Sequence, residues 1–282
     1  MTQISGIFNI IRPLNGIVAA VSLLPALTLY AGDLRYDWHV GWVLFLLVSF
    51  GYVINDIYDV IGDRENDRRR PLASGQLTML SARFVAGFLA LLSIVLSTLY
   101  SVNLLIYDVV LLAALFGYAW YVSTRLAVAN IWVAALCSSV FVLPMLIAKS
   151  DAGGEQCLLM SYAVVLSFLF HLAREIVKDI EDVRGDLLLK RATLPLVIGA
   201  KQSRLVAMAI LLLMAVFSYY VYLQVGQVAY LLIVTIGVNL PTVLIFLIYL
   251  RRDPVKWAGN VSVVLKFLML PALASLLALG LG

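Results

Sequence analysis

The chain has 282 residues, of which 63% belong to the hydrophobic set and only 13% are charged, with a formal net charge of +4. Ordinary soluble domains are nearer half apolar and a quarter charged, so this composition excludes a soluble globular protein. The small positive balance is no nucleic-acid signal, because the basic residues are distributed as loops beside a membrane require.

Taken in chain order, nine apolar runs approach the length of about 20 residues that crosses a hydrocarbon core as a helix. They are Leu14 to Ala31, Val40 to Ile54, Ala82 to Tyr100, Leu104 to Val122, Val128 to Ala148, Leu158 to Leu172, Leu205 to Leu223, Val228 to Leu250 and Ala258 to Leu281. Two look short because a charged motif begins at their inner end. The expected fold is all-α: a polytopic membrane bundle of about nine transmembrane helices, one membrane-embedded domain over residues 1–282. No basic region followed by a cleavage site precedes Arg12, so the first run is expected to remain a spanning helix. Cys137 and Cys157 sit in or beside apolar runs without a CxxC spacing, which indicates packing rather than zinc or a disulfide framework.

Of the 20 Lys and Arg residues, all but Arg35, Lys149 and Lys266 fall in or beside the N-terminus and the loops after the second, fourth, sixth and eighth runs. With nine spans these segments share one side of the membrane, and the positive-inside rule makes that side cytoplasmic. The expectation is an integral protein of the cell membrane with these loops facing the cytoplasm. Arg68, Arg69, Arg83, Arg191, Arg251 and Arg252 read as membrane-side anchors.

Ten of the 16 acidic residues form two clusters, one after the second run and one after the sixth. Asp56, Asp59, Asp63 and Asp179, Asp182, Asp186 both read DxxDxxxD at a constant offset of 123 residues. Positions i, i+3 and i+7 lie at about 0°, 300° and 340° around a helix, so each triplet forms one carboxylate stripe if its helix continues through it. Three carboxylates on a stripe repel unless a divalent cation sits among them, and hard oxygen donors suit Mg²⁺ shared with substrate phosphates. Four runs separate the motifs, which suggests an internal four-helix repeat placing both stripes at one membrane face.

Basic residues interleave with both stripes: Arg68, Arg69 and Arg70 follow the first, while Arg174, Lys178 and Arg184 lie in or beside the second. Mixed signs fit a magnesium diphosphate better than a bare cation pathway. Tyr121 and Arg125, four residues apart, share a helix face. Lys266 lies deep enough in the last run that its ammonium is expected to face the bundle interior or a polar cavity. Asp108 and His171 read as satisfied groups near helix ends.

These residues resemble the UbiA superfamily of intramembrane prenyltransferases. Asn55, Asp56, Asp59 and Asp63 match its NDxxDxxxD signature, and Asp182 with Asp186 matches the second Asp-rich element. Arg12-Pro13, Asn66, Arg70-Pro71-Leu72 and Thr193-Leu194-Pro195 extend the resemblance over nearly the whole chain, with Tyr121 and Arg125 standing for a YxxxK element. Ala173-Arg174-Glu175-Ile176, Lys178 to Val183, Gly185-Asp186 and Arg12-Pro13-Leu14-Asn15 are similar to the branch that geranylgeranylates geranylgeranylglyceryl phosphate in ether-lipid synthesis.

The resemblance implies helices around a central membrane cavity and Mg²⁺-dependent ionisation of a polyprenyl diphosphate, geranylgeranyl in that branch. The prenyl group then passes to a lipid-phosphate acceptor or, in sister enzymes, to an aromatic quinone precursor. By this resemblance Asn55, Asp59 and Asp63 hold one Mg²⁺ and Asp179, Asp182 and Asp186 another. Arg70, Arg125 and Lys178 neutralise the leaving diphosphate, Tyr121 faces the reacting group, and Arg12, Asn15 and Arg174 contact substrate. A cation transporter would instead set its carboxylates near mid-membrane. A CDP-alcohol phosphotransferase would need a DGxxAR segment, which is missing from the sequence.

Overall fold

The computed structural model describes residues 3–66, 70–125, 128–148 and 153–282. Asp67, Arg68, Arg69 and Lys149 lie outside the described residues. Among the described residues thirteen α-helices follow one another: α1 Gln3–Ile11, α2 Pro13–Ala31, α3 Trp38–Glu65, α4 Met79–Tyr100, α5 Val102–Trp120, α6 Val128–Ser138, α7 Leu143–Ile147, α8 Gly154–Leu188, α9 Leu194–Ile198, α10 Ala200–Val225, α11 Val228–Val234, α12 Leu240–Leu250 and α13 Pro254–Gly280. The described residues contain no strand.

Among the described residues eight helical stretches are long and apolar enough to cross a membrane, the first running from Ile4 to Ala31 and the seventh joining α11 and α12 as Val228–Leu250. The remaining predicted run, Val128 to Ala148, is broken into α6, a 3-10 turn at Ser139–Phe141 and α7. Its sequence explains the break. Ser138 and Ser139 turn their hydroxyls onto the Ala135 and Leu136 carbonyls (3.0 and 2.7 Å), and Pro144 lacks the N–H a continuous helix would need.

Helix starts follow ordinary capping chemistry. Asp37 accepts from the backbone N–H groups of His39 and Val40 at the head of α3, and Asp253 from those of Val255 and Lys256 at the head of α13. Thr78 and Ser101 cap α4 and α5. At the other end, α3 and α8 do not stop at the membrane border: each continues through its Asp-rich motif, to Glu65 and Leu188.

The chain forms two compact units, each assembled from separate stretches. The first comprises residues 1–23, 36–125 and 184–191, so the last turn of α8 belongs to it. Here α3 packs on α4 and α5 and buries Val43, Leu44, Leu47, Phe50 and Val53. α4 turns Ala82, Ala86, Leu89, Ser93 and Ser97 inward and exposes Phe84, Phe88, Leu91, Val95 and Leu99. Small residues inside and large apolar ones outside are the arrangement of a lipid-facing helix, since lipid removes the hydrophobic penalty on the outer face and leaves close packing to hold the inner one.

The second unit comprises residues 24–35, 126–183 and 192–282. Its α10 buries Ala207, Leu211, Met214 and Ser218, and Asn239, in a π turn at Thr235–Asn239, donates to the Ser218 hydroxyl at 2.9 Å. On α13, Val261, Leu265 and Leu268 are buried whereas Lys266 lies exposed beside Val263 and Phe267. The interior position expected for Lys266 is therefore corrected. It sits on the outward face, where a flexible four-carbon stem lets the ammonium reach towards an interface.

Candidate active site

In the first unit the inner end of α3 sets Asn55, Asp56, Asp59 and Asp63 on successive turns. Asn55 donates from Nδ2 to Asp59 Oδ2 at 2.7 Å. Asp56, 1% exposed, accepts from Arg12 and from Arg70 Nη1 (2.9 Å), and the same Arg70 nitrogen reaches Asp63 Oδ2 at 2.7 Å. Arg12 joins α1 to α2 with φ at +48°, a left-handed backbone unusual for a residue with a side chain, and its guanidinium lies 4.4 Å over the Tyr52 ring. The strain is sustained where Arg12 meets a buried carboxylate.

Arg191, just beyond α8, pairs with Asp59 and, from Nη1, with Asp186 Oδ1 at 3.4 Å. One guanidinium thus spans a carboxylate of each motif. Burial lowers its proton affinity, but Asp59 and then Asp186 more than reverse this, so its pKa is raised and it is charged at every accessible pH. Asn66 Oδ1 accepts from the Gly185 backbone N–H at 2.9 Å, and a Cβ on Gly185 would stand 2.6 Å from the Gly62 carbonyl oxygen.

Within the second unit α8 carries Arg174, Glu175, Lys178, Asp179 and Asp182. Glu175, 6% exposed, accepts from Arg174 Nη1 at 3.0 Å and from Lys178 Nζ at 2.7 Å. Asn130 on α6 donates to Asp179 Oδ2 at 2.9 Å, and Asp182 is half-buried.

The structure thus brings Arg12, Asn55, Asp59, Asp63, Arg70 and Asp186 into one network with Asp56 and Arg191, and it joins Arg174 to Lys178 through Glu175. Tyr121 and Arg125 pair with each other at the exposed end of α5, the guanidinium 4.4 Å over the ring and donating to its hydroxyl. Asn15 is half-buried in the first turn of α2, its N–H bonded to the Arg12 carbonyl at 2.9 Å.

Among the described residues no three His, Cys, Asp or Glu side chains converge closely enough to hold a metal ion as they stand. The carboxylates of the first motif, with Asp186, are instead turned to arginines and to Asn55. Their donor chemistry nevertheless fits a hard divalent cation: buried carboxylate and amide oxygens, with neither thiol nor imidazole among them.

Several of these residues lay outside the sequence reading. Arg191 reads as a membrane anchor in sequence but is a buried ion-pair partner. The glycine contact did leave a signal, because Gly62 and Gly185, Ile57 and Ile180, and Val60 and Val183 all keep the 123-residue offset of the aspartates. Asn130 left none beyond polarity, and Glu175 stood in the sequence only as a member of the second acidic cluster and of the Ala173-Arg174-Glu175-Ile176 segment, with no role assigned.

Residues 19–270 match the model of the UbiA prenyltransferase family. The digeranylgeranylglyceryl phosphate synthase of Pyrococcus furiosus is 29% identical over 288 residues, covering 98% of this chain and 97% of the relative. The enzyme of that name from Hyperthermus butylicus is 30% identical, covering 83% and 81%. A solved structure of digeranylgeranylglyceryl phosphate synthase covers 100% of this chain and 99% of its own with a TM-score of 0.71 at 26% identity. A UbiA homologue from Archaeoglobus fulgidus bound to GPP and Mg²⁺ shares the fold, with a TM-score of 0.65 at 13% identity and coverage of 96% and 99%. With the doubled Asp-rich motif carried on two membrane helices, these matches make one conclusion plain: the chain belongs to the UbiA prenyltransferase family and is an integral membrane prenyltransferase.

Proposed function

We propose that the chain transfers a geranylgeranyl group from its diphosphate to geranylgeranylglyceryl phosphate, in a Mg²⁺-dependent step of ether-lipid synthesis. The observation that carries this reading is the Arg191 bridge, which ties Asp59 of the first motif to Asp186 of the second. The relatives named as digeranylgeranylglyceryl phosphate synthases support the choice of substrates. The whole chain acts as one catalytic module in the cell membrane, with the motif ends of α3 and α8 on the cytoplasmic side, as its loop charges favour.

Asn55, Asp59 and Asp63 would hold one Mg²⁺, and Asp179, Asp182 and Asp186 another. Bound there, the metal supplies positive charge to the departing diphosphate. Arg70 adds donors that stabilise the same growing charge, and Arg12 and Arg191 keep the carboxylates oriented. Arg125, stacked on Tyr121, serves as a further cation for the diphosphate. The apolar helices keep water from the allylic cation until the acceptor hydroxyl attacks it.

The test uses purified protein in detergent or lipid, with geranylgeranyl diphosphate offered to geranylgeranylglyceryl phosphate and, separately, to aromatic acids. Product is expected only from the lipid phosphate, only with Mg²⁺, and not from folded Asp59→Ala or Asp182→Ala. Product from the aromatic acids alone would move the chain to the quinone-precursor class, and full activity in both variants would sink the metal sites.

A further inference from the structure

The trio Arg174, Glu175 and Lys178 is not explained by metal binding. Glu175 is buried and holds both cations, yet the three side chains together keep one positive charge, on a helix that crosses the membrane. The trio lies just beyond the sixth apolar run, and a net positive charge packed largely out of solvent there suits an anionic ligand. Arg174 is only 14% exposed, and among the described residues its Nε donor finds no partner; neither does Nδ1 of His171, one helical turn earlier. Lys178 is 32% exposed, so this end of the cluster is accessible. Charges on all three members of the trio act on His171 and on Cys137 of α6, which places these five groups near one another in the second unit.

Donor geometry indicates the ligand. Glu175 takes one bond from Arg174 and one from Lys178. The guanidinium has five N–H donors and the ammonium three, so most remain for a ligand. A carboxylate is satisfied by two such donors in a plane, whereas a phosphomonoester offers three oxygens in a tetrahedral fan and nearly two negative charges.

Distance along the helix indicates which phosphate. From the midpoint of Arg174 and Lys178 to Asp182 is six residues, about 9 Å at 1.5 Å per residue. A phosphate at the trio therefore stands apart from a diphosphate held at Asp182. A glycerol phosphate seated there would direct its free hydroxyl along α8 towards Asp182.

We infer that Arg174 and Lys178, held in place by Glu175, bind the phosphate of the lipid acceptor and so select a phosphorylated lipid over its dephosphorylated counterpart. This rests on the proposed acceptor class. The experiment compares wild type, Arg174→Gln, Lys178→Gln and Lys178→Arg with geranylgeranyl diphosphate and Mg²⁺. Each enzyme is given geranylgeranylglyceryl phosphate and, in parallel, geranylgeranylglycerol.

Wild type should favour the phosphate by about 100-fold or more in kcat/KM, because geranylgeranylglycerol leaves the charge-assisted bonds of Arg174 and Lys178 unmade. In either Gln variant KM for the lipid phosphate should rise by about tenfold or more while KM for the diphosphate stays put. The preference should shrink accordingly, and Lys178→Arg should restore most of it. Unchanged diphosphate KM also certifies the fold, and if one Gln variant does not fold the other still decides. A preference equal to wild type in the Gln variants, or a rise in diphosphate KM instead, overturns the inference and leaves the acceptor class standing. No transfer to the lipid phosphate by wild type overturns both.

Discussion

Gly62 and Gly185 meet where α3 and α8 cross. Each immediately precedes the last aspartate of its motif, and a Cβ on Gly185 would approach the Gly62 carbonyl oxygen to 2.6 Å and its Cα to 3.0 Å. The crossing sets Asp63 and Asp186 on adjoining turns of two helices. Small residues are what permit membrane helices to come this close.

Gly185→Ala should therefore cost more than Gly62→Ala. The first pushes a methyl into backbone, which cannot step aside, whereas a methyl on Gly62 meets the Leu189 side chain at 2.7 Å, a flexible end that can move. Overpacking of this sort costs roughly 1–3 kcal/mol. Thermal unfolding in detergent should show the larger drop for Gly185→Ala, together with loss of transferase activity. Equal stability of the two variants would contradict the contact.

Arg204 supports the fold away from the motifs. It is 8% exposed and donates from Nη1 to the carbonyls of Tyr249 (2.8 Å) and Arg252 (3.0 Å), which closes the C-terminal end of α12. Arg204→Met keeps the bulk and strands both carbonyls, and hydrogen bonds from a charged group contribute about 1.5–3 kcal/mol. The melting temperature should fall, while KM for either substrate and kcat below that temperature stay within about twofold of wild type.

Asp108, fully buried on α5, accepts from the Ser93 hydroxyl at 3.0 and 3.1 Å. An amide keeps an acceptor there, so Asp108→Asn should retain most stability and activity. Asp108→Leu removes that acceptor and leaves the Ser93 hydroxyl only the Ala90 carbonyl at 3.2 Å, so the unfolding temperature should fall measurably. A collapse of activity in folded Asp108→Asn would instead give this carboxylate a chemical role.

How much could be read in advance follows from what each feature depends on. Membrane helices were legible because hydropathy over about 20 residues is a local property. The carboxylate stripes were legible because α3 and α8 continue through them, as one helical period demands. The break in Val128–Ala148 was also written locally, in Ser138, Ser139 and Pro144, but hydropathy averages over it. Lys266 was misplaced because depth along a helix says nothing of direction around it; the buried residues Val261, Leu265 and Leu268 settle that. Arg191 was hidden for a different reason. A basic residue beside a membrane helix satisfies the positive-inside rule whether it faces lipid headgroups or a carboxylate 132 residues away in sequence, and only the fold brings Asp59 to it.

That ambiguity gives Arg191 a test. As an anchor it would be replaceable by lysine, since both carry one charge on a long stem. As a bridge it would not: Asp59 and Asp186 use separate nitrogens of one planar guanidinium, and an ammonium is a point charge that favours one carboxylate over the other. Breaking a buried pair by removing one partner costs about 3–5 kcal/mol, and with Arg191 15% exposed solvent should screen only part of that. Arg191→Gln should thus unfold at a markedly lower temperature than wild type, with Arg191→Lys between them. Carboxylates released from the arginine also become better oxygen donors, so added Mg²⁺ should raise the unfolding temperature of Arg191→Gln by more than it raises that of wild type. Differential scanning fluorimetry with and without millimolar Mg²⁺ reads both effects, and Arg191→Lys matching wild type in each would return Arg191 to the role of an anchor.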